Sequence, residues 1–175
     1  MFKIVISDKD FNLEEIELDN PRKRIGARGL VFNEFGEIAV FNKQKKNEYK
    51  LPGGGVENSE NPQEAFAREV FEETGCSIKD IECIGIIEEI QSQENFCQQS
   101  YVFISKVNEI GKELYLTQKE KDEGARLLWL NPQKALKMMR ECIELLKASN
   151  YDSVYRSRFM VLRDCKILEE YLSYK

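Results

Sequence analysis

The chain has 175 residues, 42% of them hydrophobic and 33% charged, which is enough to bury a substantial core and fits one domain better than two. Its 31 acidic side chains against 26 basic ones leave a formal charge of -5, so binding a polyphosphate requires a local basic patch or a metal ion. It contains no histidine, which excludes Ser-His-Asp and Cys-His mechanisms and His-ligated zinc, and leaves proton transfer to carboxylate, Lys, Tyr, Cys or metal-bound water.

Residues 1–7 and 13–18 read as short strands, and Lys3 followed by Asp8 breaks any signal-peptide pattern in the first of them. Runs 25–32 and 37–41 are rich in β-formers and flank the turn-like Asn33-Glu34-Phe35-Gly36, so they form a hairpin. A polar, lysine-rich segment then leads into Pro52-Gly53-Gly54-Gly55, which reads as an irregular loop. Asn61-Pro62-Gln63-Glu64 combines a capping residue, proline at the first helical position and Glu at the third, starting a helix that Gly75 stops. Strands follow at 78–90 and 98–107, then a charged loop at 117–124 and a strand at 127–130. Asn131-Pro132 opens a helix to about Lys147, and Asp152 caps another to about Leu172. This mixed order implies an α+β fold, a sheet sandwiched by helices.

The five cysteines, Cys76, Cys83, Cys97, Cys142 and Cys165, are odd in number and lack C-x-x-C spacing, the pattern of reduced thiols in a cytoplasmic protein. No apolar run approaches the roughly 18 residues of a membrane span, so no membrane partner is expected.

Chemistry concentrates where the glycine-rich loop meets a helix loaded with carboxylates. At about 100° per residue, Glu72 falls roughly 60° from Glu69 and Glu73 roughly 40° to its other side. Ala65, Phe66 and Val70 share the same half-cylinder, so these glutamates point toward protein or its edge instead of lying on a solvated face. Like charges so close require a cation among them, and oxygen-only ligands select Mg²⁺ or Mn²⁺, which also take phosphate oxygens. Arg68, four residues from both Glu64 and Glu72, is placed to brace the cluster. The bland alternative is an acidic helix held by ion pairs and solvated at its edge.

Gly54, five residues, Glu60, seven residues, then Arg68-Glu69-Val70-Phe71-Glu72-Glu73-Thr74-Gly75-Cys76 resembles the Nudix box, G-x5-E-x7-R-E-U-x-E-E-x-G-U. Every fixed letter is present, and Cys76 replaces the aliphatic residue usual at the last position. The resemblance implies an α/β/α sandwich with a mixed sheet, its core at about residues 24–147. A helical extension at about 150–173, within one domain of 1–175, would cap a pocket or form a homodimer interface. It further implies Mg²⁺- or Mn²⁺-dependent cleavage of a diphosphate linkage in a nucleoside triphosphate or related nucleoside diphosphate derivative, by water attack on phosphorus.

On matching positions, Glu69, Glu72 and Glu73 would be the metal ligands, with Glu57 a carboxylate that some members also use. Gly54, Glu60 and Arg68 would be structural. The general base would come from Glu69 itself or from a loop glutamate, for which Glu120 and Glu123 are the candidates. Arg28, with Gly53 and Gly55, borders the expected substrate pocket, and two basic clusters, 22–28 and 43–50, face phosphates or form a solvated rim. Residues that mark hydrolases of ADP-ribose, dinucleoside polyphosphates and NADH are missing, which favours a triphosphate-like substrate. Two alternatives remain open: a Nudix-fold sensor that binds a nucleotide or metabolite without hydrolysing it, and a pyrophosphohydrolase of RNA 5′ ends, against which the acidic net charge counts.

Overall fold

The computed structural model describes residues 1–111 and 115–174. An eight-stranded mixed sheet organises the chain in the order β1-β6-β7-β2-β3-β4, with β5 added to β2 and β8 to β3. The strands are β1 (Phe2–Ser7), β2 (Arg22–Phe32), β3 (Ile38–Lys43), β4 (Glu48–Lys50), β5 (Gly53–Gly55), β6 (Cys76–Gln91), β7 (Phe96–Ile110) and β8 (Ala125–Leu130). The helices are α1 (Pro62–Thr74), α2 (Gln118–Asp122), α3 (Pro132–Cys142) and α4 (Val154–Ser173).

The β1–β6 and β2–β7 pairs are parallel, whereas β6–β7, β2–β5 and β3–β8 are antiparallel. Alternation along β2 sends Ala27 and Val31 to one face and Arg28 and Leu30 to the other. Ala65, Phe66 and Val70 of α1 cover the first face, where the Phe66 ring stacks on Phe103 at 5.2 Å. Leu136 and Met139 of α3, with Val161, Ile167 and Leu168 of α4, cover the second. The result is a three-layer α+β fold, and α4 is an integral part of its larger core cluster.

The hairpin between β2 and β3 forms around Gly36, at φ 74°, with Asn33 Oδ1 accepting from the N–H groups of Phe35 and Glu37. The two strands pair only at Phe32 and Ile38 and then diverge, and the chain returns through the gap. There β4 pairs with β3, and Gly53–Gly55, expected to be irregular, pairs with β2. Only glycine permits that approach at Gly53, whose φ is 139° and where a Cβ would lie 2.3 Å from the Ala27 carbonyl oxygen.

Helix α1 begins and ends as its sequence dictates, with a reciprocal Asn61–Glu64 capping box and Gly75 in the left-handed region at φ 69°. Several expectations are corrected. Residues 13–18 are not a strand, because Asn12 turns left-handed and the segment is pinned by side chains, Ser92 Oγ accepting from Ile16 N–H and Gln93 donating to the Glu14 carbonyl. The charged loop contains α2, which Thr117 and Glu120 cap reciprocally. Ser153, not Asp152, caps α4, since Asp152 is drawn into an ion pair with Lys46. Helix α3 gives way at Ile143 to a single tighter turn.

Candidate active site

The split edge of the sheet, where β5 faces α1, gathers the residues singled out by the sequence. Arg68 is the hub. Its guanidinium donates to both oxygens of Glu60, at 3.1 and 2.7 Å, to the Gly55 carbonyl at 3.0 Å and to Glu69 at 2.9 Å, and it meets Glu72 at 3.4 Å. Hydrogen bonding to Glu60 and then Glu69 raises the arginine's affinity for its proton, while burial opposes that effect. The same Glu60–Arg68 bond holds the Glu60 carboxyl below its usual range. Glu64, the expected partner, is occupied at the helix cap.

Glu69 lies against the bare backbone of Gly54, where an added Cβ would fall 2.3 Å from the carboxylate. Glu72 is the most open of the three helix carboxylates, its side chain 41% exposed. Glu73 is buried, and its oxygens accept from Lys50 Nζ at 2.5 Å and from Gly53 N–H at 2.9 Å. Burial pushes the Glu73 carboxyl up, against the Lys50 ammonium, which pulls it down. Two protein cations, Arg68 and Lys50, thus relieve the repulsion expected among these glutamates. Among the described residues, no three acidic or thiol side chains converge on one point, because Glu73 is turned to the glycine loop and not toward Glu69 and Glu72.

The donor chemistry nevertheless suits a hard divalent cation. Glu69 and Glu72 each engage Arg68 through one oxygen, and the second oxygen of each has no protein partner among the described residues. Glu57 is exposed just before α1, with its N–H donating to Glu60 Oε1.

The two loop glutamates have different surroundings. Glu120, partly buried on α2, lies within electrostatic range of both Lys50 and Glu73. Glu123 is buried with Lys43 at 2.6 Å and accepts from Ser149 Oγ at 2.6 Å. Around it, Lys46 binds Glu48 at 2.6 Å and Asp152 at 3.1 Å. The lysines at 43, 46 and 50 are therefore buried partners of carboxylates and not a solvated, phosphate-facing rim.

Arg28 is buried on the α4 side of β2, with Nη1 3.7 Å from Asp164, and it lines a cavity of about 320 Å³. Arg24, which the sequence offered only as part of a basic cluster, stands over Gly55 and feels the charge of Glu69. Arg163, on the helical extension, is buried across the same cavity and binds Glu89 and Asp164 at 2.9 and 2.8 Å. Its signal was its place among Val161, Asp164 and Cys165 on a helix that supplies core. Phe96 also lines the cavity, under the Arg22 guanidinium at 4.4 Å, while Phe103 is core.

The family model described as the NUDIX domain matches residues 22–148, from the start of β2 to just past α3. The chain belongs to the Nudix hydrolase family. It is a pyrophosphohydrolase-type enzyme whose Nudix helix is α1. A MutT-like protein of Streptomyces ambofaciens is 26% identical over 130 residues, covering 73% of this chain and 78% of that protein. An RNA pyrophosphohydrolase of Pasteurella multocida is 31% identical over 71 residues, 41% of this chain but only 35% of that protein. Among solved structures, a Nudix hydrolase from Nitrosomonas europaea superposes with a TM-score of 0.62 at 15% identity, covering 88% of this chain and 91% of that one. The Nudix match ends at 148, so α4, with Arg163 and its neighbours, lies outside it. Among the described residues no helix is long and apolar enough to cross a membrane.

Proposed function

We propose that this Nudix hydrolase cleaves a phosphoanhydride in a nucleoside triphosphate or a related nucleoside diphosphate derivative, with Mg²⁺ or Mn²⁺ as cofactor. The observation that carries the reading is the pair Glu69 and Glu72, both held by Arg68 on one side of α1, with Glu69 set against the bare backbone of Gly54. A divalent ion bound there supplies charge neutralisation on phosphate oxygens and lowers the pKa of a coordinated water, chemistry that suits a protein without histidine.

In this reading Glu69 and Glu72 hold the ion, with Glu57 the further exposed carboxylate at the end of the loop. Glu73, bonded to the Gly53 N–H, fixes the glycine loop against α1, and Lys50 balances its charge. Arg68 and Glu60 lock the side chains on either side of Gly55, so that Glu69 does not need to reorganise when substrate arrives. Glu120 accepts the proton of the attacking water, whereas Glu123 anchors the chain on which Glu120 is held.

The deciding experiment is turnover of a panel of nucleoside triphosphates, oxidised nucleotides, ADP-ribose, dinucleoside polyphosphates and nucleotide sugars with Mg²⁺ or Mn²⁺, beside Glu72→Gln. Selective turnover that the variant loses supports the reading, and turnover unchanged in the variant refutes it.

A second reading, pyrophosphate removal from RNA 5′ ends, is favoured by one observation, the similarity of 66 to 71 residues of the chain to RNA pyrophosphohydrolases. A short 5′-triphosphorylated RNA in the same panel separates the two. A sensor that only binds is disfavoured, because every Nudix-box carboxylate is retained.

A further inference from the structure

A second groove lies at the far end of α4. Two cavities of about 410 and 580 Å³ share Glu82, Ile104 and Tyr171 in their walls, so they form one continuous depression. Both volumes fall in the roughly 300–1,000 Å³ range of small-molecule sites. Neither cavity shares a residue with the one that Arg28, Arg156 and Arg163 line. Along α4, Arg156 and Tyr171 are roughly 22 Å apart at about 1.5 Å per residue, so the two sites sit at opposite ends of one helix.

The walls of this groove are apolar and largely aromatic. Phe2, Phe32, Ile84, Ile104 and Tyr171 are each only partly buried where they pack on the larger core cluster. The Phe2 ring lies on Gly85 of β6, where an added Cβ would fall 2.5 Å from it, and the Tyr171 ring is centred 5.3 Å from that of Phe32. Tyr174, exposed just past α4, adds a further ring at the rim. The charge is opposite in sign to that of the arginine-lined cavity. Three lining carboxylates, Glu34, Asp80 and Glu82, face one lysine, and that lysine, Lys106, is engaged by Asp80 at 3.1 Å. Glu34 and Glu82 are exposed and have no ion pair among the described residues. Glu82 pairs across the sheet with Ile104, after a register shift that follows Lys79, and so rises from the same face as the apolar wall.

An aromatic wall with a surplus of carboxylate selects the charge of its occupant. A nucleotide or other anion is repelled by Glu34 and Glu82, and a neutral apolar molecule leaves both without a partner. A metal ion requires carboxylates that converge on one point, and no three do so among the described residues. A cation carried on an apolar body satisfies both halves, since ring faces and carboxylates each attract positive charge. We propose that this groove is a second ligand site, for a small organic cation with an aromatic or alkyl body, its charge set beside Glu82 and its body against Phe2, Ile84, Ile104 and Tyr171. The assignment stands apart from the hydrolytic reading, because none of these residues belongs to the proposed catalytic group. It also makes α4 the wall of two sites of opposite charge, with arginines toward its start and aromatic rings at its end.

Three probes with the same ring and different charge test this: benzyltrimethylammonium, benzyl alcohol and phenylacetate. Each is titrated into the isotopically labelled full chain, where backbone amide shifts report both the affinity and the place of binding. For the cation, saturable shifts are expected at residues 82–84, 104–106 and 171–174. Benzyl alcohol is expected to bind there more weakly by about fivefold or more, and phenylacetate not to bind there. Glu82→Gln, at an exposed position, is expected to weaken the cation by about fivefold, to leave benzyl alcohol unchanged and to keep thermal unfolding near wild type. Glu82→Lys is expected to reverse the order, so that phenylacetate binds more tightly than the cation. The proposal is overturned by any of three results: no cation-induced shift at these residues up to about 10 mM, equal affinity for the three probes, or cation binding that Glu82→Gln leaves unchanged.

Discussion

Two adjacent glycines of the loop make opposite predictions for the same substitution. An alanine Cβ at Gly54 would sit 2.3 Å from the Glu69 carboxylate, and ordinary contact begins at 3.4 Å, so the carboxylate must retreat by about 1 Å. That atom is the end of a flexible side chain, and Gly54 has no positive φ, so the fold absorbs the change for under about 1 kcal/mol. Catalysis does not absorb it, because a misplacement of about 1 Å costs on the order of 10²-fold. At Gly53 the added Cβ meets backbone, the Ala27 carbonyl oxygen at 2.3 Å and Arg28 Cα at 2.5 Å, and φ is 139°. Gly53→Ala therefore destabilises by roughly 2 kcal/mol or more before any effect on chemistry. Steady-state turnover with Mg²⁺ on the best substrate of the panel, beside urea unfolding of the three proteins, measures both. Gly54→Ala with wild-type kcat would refute the placement of Glu69 in the reaction. Gly54→Ala as unstable as Gly53→Ala would refute the claim that only a mobile side chain stands in its way.

Glu72→Gln, at the most open of the helix carboxylates, is expected to lower turnover by roughly 10²-fold or more with an unchanged melting temperature, read by activity and circular dichroism. The loop glutamates should separate: Glu120→Gln lowers kcat with little change in unfolding, whereas Glu123→Gln costs about 2–4 kcal/mol of stability because Lys43 is left buried without its closest partner. If Glu123→Gln proves as stable as wild type, its anchoring role is excluded. Burial alone would raise the Asp152 pKa, but the hydrogen bond from Lys119 and the charge of Lys46 overcome it and hold the group at about 2. A depressed carboxyl pKa stabilises the fold above the unfolded value near 3.9, and that contribution, about 2 kcal/mol, is lost as pH falls from about 4 toward 2. Asp152→Asn should flatten this part of the stability–pH curve measured by denaturant titration, and an equal slope in both proteins contradicts the assignment.

Much of the α1 region was legible because its signals are local. Asn61, Pro62, Glu64 and Gly75 each act within one helical turn, and the structure realises the cap and the stop they encode. The β2–β3 turn was legible for the same reason. Residues 13–18 misled because Leu13, Ile16 and Leu18 mimic strand spacing, yet Leu13 and Ile16 are exposed and the segment is fixed by contacts to residues 92–95, far away in sequence. The Gly53–Gly55 stretch misled for a tertiary reason as well: it pairs with β2 only because β3 has diverged and left that edge open. Helical spacing did put Glu69 and Glu72 together, but it could not reveal that Lys50 and the Gly53 N–H would draw Glu73 away from them.

Charge was the least legible feature, because sequence shows where lysines and arginines lie along the chain and not what they face. The run from Lys43 to Lys50 has the composition of a solvated loop, yet Lys43, Lys46 and Lys50 are each buried against a carboxylate. Two of those carboxylates, Glu123 and Asp152, come from beyond β7, so the pairs tie the loop below the glycines to the segments that carry α2 and lead into α4. Glu120 and Lys119 ride on α2, one within electrostatic range of Glu73 and the other at the cavity wall. Removing the ion pairs one residue away from α2, as in Glu123→Gln, should therefore disturb the placement of Glu120. The expected signature is a fall in kcat together with a loss of stability, whereas Glu120→Gln should lower kcat alone. If Glu123→Gln keeps the wild-type kcat at a temperature where the variant is folded, the buried pairs serve the fold and not the position of α2.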